Sequence, residues 1–328
     1  MTVQPQAGGP PAVPATLRPD VRADVASRPP IGGTVSRVLQ FTVLSIATLI
    51  FVFPFVWLFS ASLKSRQTVY GNSLFEMPLH FENYSRVFEI APVATWFMNS
   101  ILVGVAAATA VTFSSALVAF AFAYFRFPFR NVLFGLVLAT MMLPGAVVMI
   151  PNFLIWDALG WTNTLVPLWA SNLFGSAFYI FLLRQFFLGL PRELFEAARV
   201  DGASYPRMWW SIAMPLTRAA LIVVFIFELK ASWTDLMKPL IFIRDMALFT
   251  LPQGLQSLVS RFNPTSGGQG EFQYVMAASV VITLPMIVMF FLAQRYFVEG
   301  ISTTGSKAEP GQVVGGDRSA RWPSRPPA

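Results

Sequence analysis

Four charged side chains interrupt a long apolar run near residue 230, and they are the first candidates for chemistry. They are Glu228, Lys230, Asp235 and Lys238. An ionised group inside a membrane is costly, so it usually pairs or faces water. Glu228 and Asp235 fall near one face of a helix, and Asp235 can pair with Lys238. Two hypotheses stay open: a water-facing path through Glu228, Trp233 and Asp235, or charges that organise a helix end.

The rest of the composition excludes several kinds of site. There are no cysteines, which excludes disulfides, thiolate zinc sites and cysteine nucleophiles. The only histidine, His80, cannot form a histidine-rich metal site. No phosphate-binding GxxxxGK[ST] loop is present, so any ATP chemistry must come from a partner. We therefore expect no catalytic residues, no metal and no cofactor in this chain.

The elements that must position these charges are membrane helices. The 328 residues are 55% hydrophobic and 12% charged, with a mean hydropathy of +0.59, whereas soluble domains carry about 25% charged residues. The net charge of +7 and the pI of about 10 fit basic cytoplasmic loops better than nucleic-acid binding. We predict an integral membrane protein.

The predicted fold is all-α and polytopic, with six transmembrane helices. A span needs about 20 mostly apolar residues, and prolines at 144, 151, 167 and 285 predict kinks. We place a six-helix membrane domain at 37–299, between a disordered cytoplasmic N-terminal tail at 1–36 and a cytoplasmic C-terminal tail at 300–328. The six segments are 38–62, 96–124, 131–155, 165–187, 217–243 and 275–297.

The distribution of positive charge predicts the orientation of the spans. With six spans, both termini lie on one side. Sixteen of the 23 Lys and Arg residues fall on that side, and five fall in the loops on the other. By the positive-inside rule, both termini are predicted to be cytoplasmic.

The loop at 188–216 is the only long cytoplasmic connection, and its residues predict two short helices. Leu194, Ala197 and Ala198 give one small apolar face. Gly202 suits the left-handed conformation that ends a helix, and Ser204 suits the cap of the next one. Such a structured, amphipathic loop is typical of a docking surface.

Within this loop the chain resembles the permeases of ATP-binding-cassette (ABC) importers. Glu196-Ala197-Ala198, then Gly202 after three residues, then Ile212-Ala213-Met214-Pro215 after nine, is similar to their EAA motif. Met214 replaces the Leu of the family pattern, a nearly volume-conserving change. The resemblance covers about 37–308 and is closest to the small permease of maltose-type carbohydrate importers. Its other stretches are 53–64, 81–84, 96–100, 231–240, 250–252 and 294–300.

The resemblance implies a type I importer fold and a division of labour. Two homologous permeases form the pore, two ATPase subunits hydrolyse ATP, and an extracytoplasmic binding protein delivers a sugar-like solute. The EAA loop of such permeases docks on the ATPase, and the outer loop at 244–274 reaches the binding protein. The implied coupling residues are Glu196, Ala197, Ala198, Asp201, Gly202, Ile212 and Pro215. The implied binding-protein contacts are Asn263, Pro264, Gly267 and Gly268.

Three alternatives stay open at this stage. The first is an importer with the same fold and partners whose solute is a polyol or a glycerol-phosphate compound. A stand-alone secondary transporter would need coupling-ion sites and no ATPase dock, and the EAA loop argues against it. A membrane-embedded enzyme would have only Glu228 and Asp235 as paired carboxylates.

Overall fold

The computed structural model describes the backbone of residues 31–262 and 270–305 and the side chains of residues 36–262 and 270–294. Within these ranges every regular element is helical, as predicted. The chain divides into two compact units, Met1–Val56 and Trp57–Ala328. In the first, the described residues belong to α1 (Ile31–Ser62), an apolar helix with Pro54 inside it.

The second unit is built from helices that are mostly joined by short turns. Two 3₁₀ turns (Ser171–Phe174 and Met246–Leu248) and a π-helical turn (Trp209–Ala213) interrupt the α-helices. The α-helices are α2 (Glu82–Ile90), α3 (Val93–Tyr124), α4 (Arg130–Thr140), α5 (Gly145–Ala158), α6 (Val166–Ala170), α7 (Ala177–Leu188), α8 (Arg192–Val200), α9 (Tyr205–Met208), α10 (Met214–Leu216), α11 (Arg218–Thr234), α12 (Met237–Phe242), α13 (Leu251–Phe262) and α14 (Phe272–Gly305).

Six spans are available among the described residues, although only three are single helices. Ser36–Ser62, Val93–Tyr124 and Phe272–Gln294 are each long and apolar enough to cross a membrane. The other three are bent pairs of helices, with bends of 98° between α4 and α5, 41° between Val166–Phe174 and α7, and 81° between Tyr205–Leu216 and α11. The predicted fold class is therefore confirmed.

The middle spans differ from the continuous segments that the sequence predicted. Pro144 lies between α4 and α5, immediately before the first residue of α5. Pro151 lies inside α5. The fifth segment, predicted as one helix over 217–243, ends at Thr234 instead. Asp235 there adopts an extended backbone conformation, which stops α11. The residues that follow in α12 are also mostly apolar, so hydropathy alone could not separate α11 from α12.

The outer boundaries also shift relative to the predicted domain. Helix α1 starts at Ile31, inside the segment predicted as an N-terminal tail, and α14 continues to Gly305, beyond the predicted boundary at 299. The remaining tail residues, 1–30 and 306–328, lie outside the described residues.

Helix α3 is the centre of the second unit, because α7 and α11 both pack along it. Its buried face is made largely of small residues, including Ala107, Ala108 and Ala119. A Cβ atom added at Gly104 would lie 2.9 Å from the Leu229 side chain. Small residues let membrane helices approach closely and gain van der Waals contact. The sequence of α3 therefore sets how near its neighbours can come.

Hydrogen bonds tie the Val93 end of α3 to the loop before α13. The Trp96 Nε1–H group donates to the Met246 carbonyl at 2.9 Å. Asn99 donates to the Phe249 carbonyl at 3.0 Å, and the Leu251 N–H group donates to Ser100 Oγ at 2.8 Å. These partners are about 150 residues apart in the chain, so the bonds fix the tertiary structure of this end.

A second set of bonds fixes the segment that follows α1. The Asn83 side-chain amide donates to the carbonyl of Ser62 at 2.9 Å and to that of Lys64 at 3.0 Å. Lys64 is buried, and its Nζ atom donates to the Gly71 carbonyl at 2.9 Å. A buried ammonium group is costly unless it is hydrogen-bonded, so these contacts hold this turn in one conformation.

The packing of Gly254 against Trp96 predicts a large effect of one added methyl group. A Cβ atom at Gly254 would overlap the Trp96 ring, which is 1% exposed and has no room to move. We expect Gly254→Ala to lower the free energy of unfolding by about 1–3 kcal/mol, measured by thermal unfolding in detergent. Gly135→Ala is the matched control, because no atom lies within 4 Å of its added Cβ. Equal stability of the two variants would contradict this packing.

Candidate functional site

The loop at 188–216 is structured, as the sequence predicted. Helix α8 follows Pro191 and ends before Gly202, whose φ of +76° lies in the left-handed region. The Gly202 N–H group donates to the Arg199 carbonyl, and the Ala203 N–H group donates to the Ala198 carbonyl at 2.9 Å. This glycine gives α8 a defined C-terminal turn.

The buried face of α8 is formed by Phe195. Phe195 is 4% exposed, and its ring lies 5.9 Å from the Phe120 ring and 5.3 Å from the Tyr124 ring. Of the predicted small apolar face, Leu194 and Ala197 are exposed and Ala198 is half-buried. The large aromatic ring fills the hydrophobic gap at the end of α3, and this determines the rotation of the short helix.

The opposite face of α8 is exposed and partly apolar. Glu196, Ala197, Asp201 and Gly202 are all exposed there. Val200 is 88% exposed, and the sequence analysis had not singled it out. Its position three residues after Ala197 on the helix was the available signal. Small and apolar side chains beside a carboxylate give this face the composition of a protein contact surface.

A continuous run of short helical turns connects α8 to α11. Ser204 precedes α9 but makes no side-chain capping bond, contrary to the prediction, and its carbonyl accepts the Met208 N–H group instead. Trp209 is buried and begins the π-helical turn. Ile212 is half-buried and Pro215 exposed. The chain then bends at a buried threonine, Thr217, before α11.

Glu228 belongs to a polar cluster between three spans. Asn172 Nδ2 donates to Glu228 Oε1 at 2.5 Å and to the Ala107 carbonyl at 3.3 Å. The Tyr179 side chain lies near Glu228. Asn172 lies in the 3₁₀ turn that breaks the fourth span. A broken helix exposes polar backbone inside a membrane only where protein or a water-filled cavity satisfies it.

The other two residues assigned to a path have structural partners. Asp235 Oδ1 accepts the Met237 N–H group at 3.0 Å and the Lys238 N–H group at 3.2 Å, and its Oδ2 lies 3.6 Å from Lys238 Nζ. Asp235 thus caps α12, which is the helix-end hypothesis of the sequence analysis. Trp233 is 6% exposed, and its Nε1–H group donates to the Ile282 carbonyl at 3.4 Å. Their place on a path stays a prediction.

The residues assigned to the binding protein, Asn263, Pro264, Gly267 and Gly268, lie outside the described residues. Among the side chains that the structure describes, no group of three or more His, Cys, Asp or Glu residues could hold a metal ion. The arrangement therefore offers one exposed helical face and one internal polar cluster, which are the two features of this unit that suit docking and passage.

Known proteins with similar sequences are membrane subunits of transport systems. The chain is 32% identical over 285 residues to the arabinooligosaccharides transport system permease protein of Bacillus subtilis, covering 82% of this chain and 98% of that protein. It is 33% identical to the sn-glycerol-3-phosphate transport system permease protein of Yersinia pestis, covering 79% and 93%. The lactose transport system permease protein of Rhizobium radiobacter is 30% identical, covering 80% and 94%.

A solved structure has a similar fold. A chain of a bacterial ABC transporter involved in the import of the acidic polysaccharide alginate matches with a TM-score of 0.71 at 24% identity, covering 81% of this chain and 98% of that one. The family model for the binding-protein-dependent transport system inner membrane component matches residues 115–303. These residues include the polar cluster and the whole 188–216 loop, and the chain belongs to this family of transport-system membrane components.

Proposed function

We propose that this chain forms half of the pore of an ABC importer for a sugar or sugar-like solute. The observation that carries this proposal is the exposed face of α8, which presents Glu196 and Ala197 of the EAA motif on a helix fixed to the spans by Phe195. The chain acts as a permease subunit, and ATP hydrolysis belongs to the partner subunits.

The partners follow from the family and from the orientation. The basic loops support a cytoplasmic position for both termini and α8 by the positive-inside rule, and two ATPase subunits bind on that side. A second, homologous permease completes the pore, and an extracytoplasmic binding protein delivers the solute to the opposite side. The 263–268 segment belongs to the loop that faces this binding protein.

The charge of Glu228 supports a neutral polyhydroxylated solute over a glycerol phosphate. Two of the relatives are named for oligosaccharide or lactose transport and one for sn-glycerol-3-phosphate transport. A carboxylate accepts hydrogen bonds from sugar hydroxyls, but it repels a phosphate ester in a medium of low dielectric constant. Glu228 is half-buried beside Asn172 at the break of the fourth span, where discontinuous helices of transporters place their solutes.

Two routes connect the docking face to the spans. The first is the Phe195 ring, which moves with α8 and presses on the end of α3 through Phe120 and Tyr124. The second is the chain itself, which passes through α9 and the π-helical turn to the bend at Thr217 and into α11. Because α11 carries Glu228, ATP-driven movement of α8 is transmitted to the polar cluster.

The docking proposal predicts the effect of reversing one charge. In co-purification of this chain with its ATPase, we expect Glu196→Lys to weaken binding about thirtyfold, because a charge pair at an interface is replaced by repulsion worth about 2 kcal/mol or more. Glu89→Lys is the matched control, since Glu89 forms only an exposed ion pair with Arg86. Equal ATPase recovery with both variants would remove the coupling role of α8.

The turn at Gly202 predicts a conformational effect that is free of steric overlap. No atom lies within 4 Å of a Cβ added there, so the φ of +76° is the constraint that a β-carbon meets at this position. We expect Gly202→Val to lower solute-stimulated ATP hydrolysis of the reconstituted complex about fivefold or more, since strain of about 1–3 kcal/mol displaces the turn. Gly202→Asn should retain most activity, because Asn tolerates this conformation. Equal losses of ATP hydrolysis in the two variants would show that the left-handed backbone conformation at residue 202 is not the cause of the loss.

Transport in vesicles tests the solute and the role of Glu228 together. We expect ATP-dependent uptake of an arabino-oligosaccharide or lactose, and little uptake of sn-glycerol 3-phosphate. Glu228→Gln keeps a hydrogen-bond acceptor for Asn172 but removes the negative charge. Sugar uptake should then fall about fivefold, because a hydrogen bond to a charged group is ~1 kcal/mol stronger than one to a neutral group. Glu89→Gln is the control. Preference for the phosphate ester would overturn the sugar assignment, and unchanged uptake in Glu228→Gln would remove Glu228 from the path.

A further inference from the structure

A basic cavity lies beside α8, at the Tyr124 end of the spans. Its volume is about 510 Å³, and its apolar floor is formed by Phe120, Tyr124 and Phe187 at the ends of α3 and α7. Its polar rim holds Arg126, Arg192, Arg199 and Glu196. Glu196 also belongs to the docking face on α8, whereas the aromatic floor and the arginines of the rim are not part of that face.

A second cavity adjoins the first and adds more positive charge. Its volume is about 550 Å³, and it shares Arg126 and Arg192 with the first while adding Arg130 and Asn131. The combined rim therefore carries four guanidinium groups and one carboxylate, that of Glu196. Among the described residues, no ion pair joins any of these four arginines to a carboxylate. The net positive charge of this rim favours the binding of an anion.

Two of the arginines are held in place by other contacts. Arg130 Nη1 donates to the Phe125 carbonyl at 3.2 Å, and the Arg199 guanidinium lies 5.8 Å from the Tyr205 ring centroid. Each still has N–H groups left to donate, because a guanidinium carries five. Planar guanidinium forks match the oxygens of a phosphate group in pairs, so the rim suits a phosphate better than an isolated carboxylate.

The position of the cavity identifies which phosphate fits. Helices α3 and α7 are apolar candidate spans that end at Tyr124 and Leu188, and basic side chains at the end of a span are typical of the region of the lipid headgroups. A soluble phosphate ion has no apolar atoms that could contact the aromatic floor. A phospholipid places its phosphate at the rim and its glycerol and first methylenes against the rings.

We propose that this arginine-rimmed cavity binds the headgroup of an anionic phospholipid of the phosphatidylglycerol type. The proposal rests on the proposed function for the side of the membrane that the cavity faces and for the docking role of α8. Because Arg192 and Arg199 belong to α8, the bound lipid holds the docking helix in position, and the anionic lipid content of the membrane regulates coupling.

Native mass spectrometry of the full-length chain, purified in mild detergent with its partners, tests the binding. Phosphatidylglycerol and phosphatidylcholine are titrated separately, and the occupancy of the first bound lipid is measured. We expect phosphatidylglycerol to bind more tightly, and Arg126→Gln to weaken its binding about fivefold, which is ~1 kcal/mol for one arginine near a phosphate. Arg126→Lys should lose less, since it retains the charge.

The matched control is Arg244→Gln, which removes an exposed arginine close to the loop that bonds to Trp96 and Asn99, at the other end of α3. It should leave phosphatidylglycerol binding unchanged. Equal weakening by Arg126→Gln and Arg244→Gln would overturn the site, because general charge attraction would then explain the binding. Displacement of the lipid by excess inorganic phosphate, with phosphatidylcholine bound equally well, would assign the cavity to a soluble anion instead. Failure of the ATPase to co-purify would count against the docking proposal and leave the lipid measurement intact.

Discussion

The close approach of helices to α3 is the constraint on which the second unit depends. Lipid tails are as apolar as leucine, so spans gain little from hydrophobicity alone and must gain from contact. Helix α3 provides that contact with alanines and with Gly104, which leaves just enough room for Leu229 of α11. The broken spans can then be held by α3, since the central helix supplies a straight surface along its 32 residues.

This close packing also determines how polar groups are satisfied. With neighbouring backbones so near, one side chain can reach the carbonyl of another helix, as Asn172 reaches that of Ala107. The same amide donates a hydrogen bond to Glu228, so a side chain at the break of the fourth span pairs with the carboxylate of the fifth. At the Val93 end, Trp96 and Asn99 bond to loop carbonyls in the same way. Asn172, Trp96 and Asn99 thus connect segments that are distant in sequence.

The sequence predicted those features that depend on local chemistry. Six apolar segments, the short helices of the 188–216 loop and the left-handed turn at Gly202 all follow from composition and spacing. It could not predict that Asn172 would bond to Glu228, because the two are 56 residues apart and either could have faced solvent. It also could not predict which apolar residue of α8 would be buried, since Leu194, Phe195 and Val200 in this nine-residue helix are all large and apolar. The deciding contact, Phe195 with the aromatic rings of α3, is tertiary.

Phe195 is the only residue of α8 that is buried within the described side chains. Its ring lies against those of Phe120 and Tyr124, and Ala198 packs against the same core. A nine-residue helix held mainly by one large side chain leaves most of its surface uncovered. The composition of that surface can therefore vary without loss of the contact that holds α8 to α3.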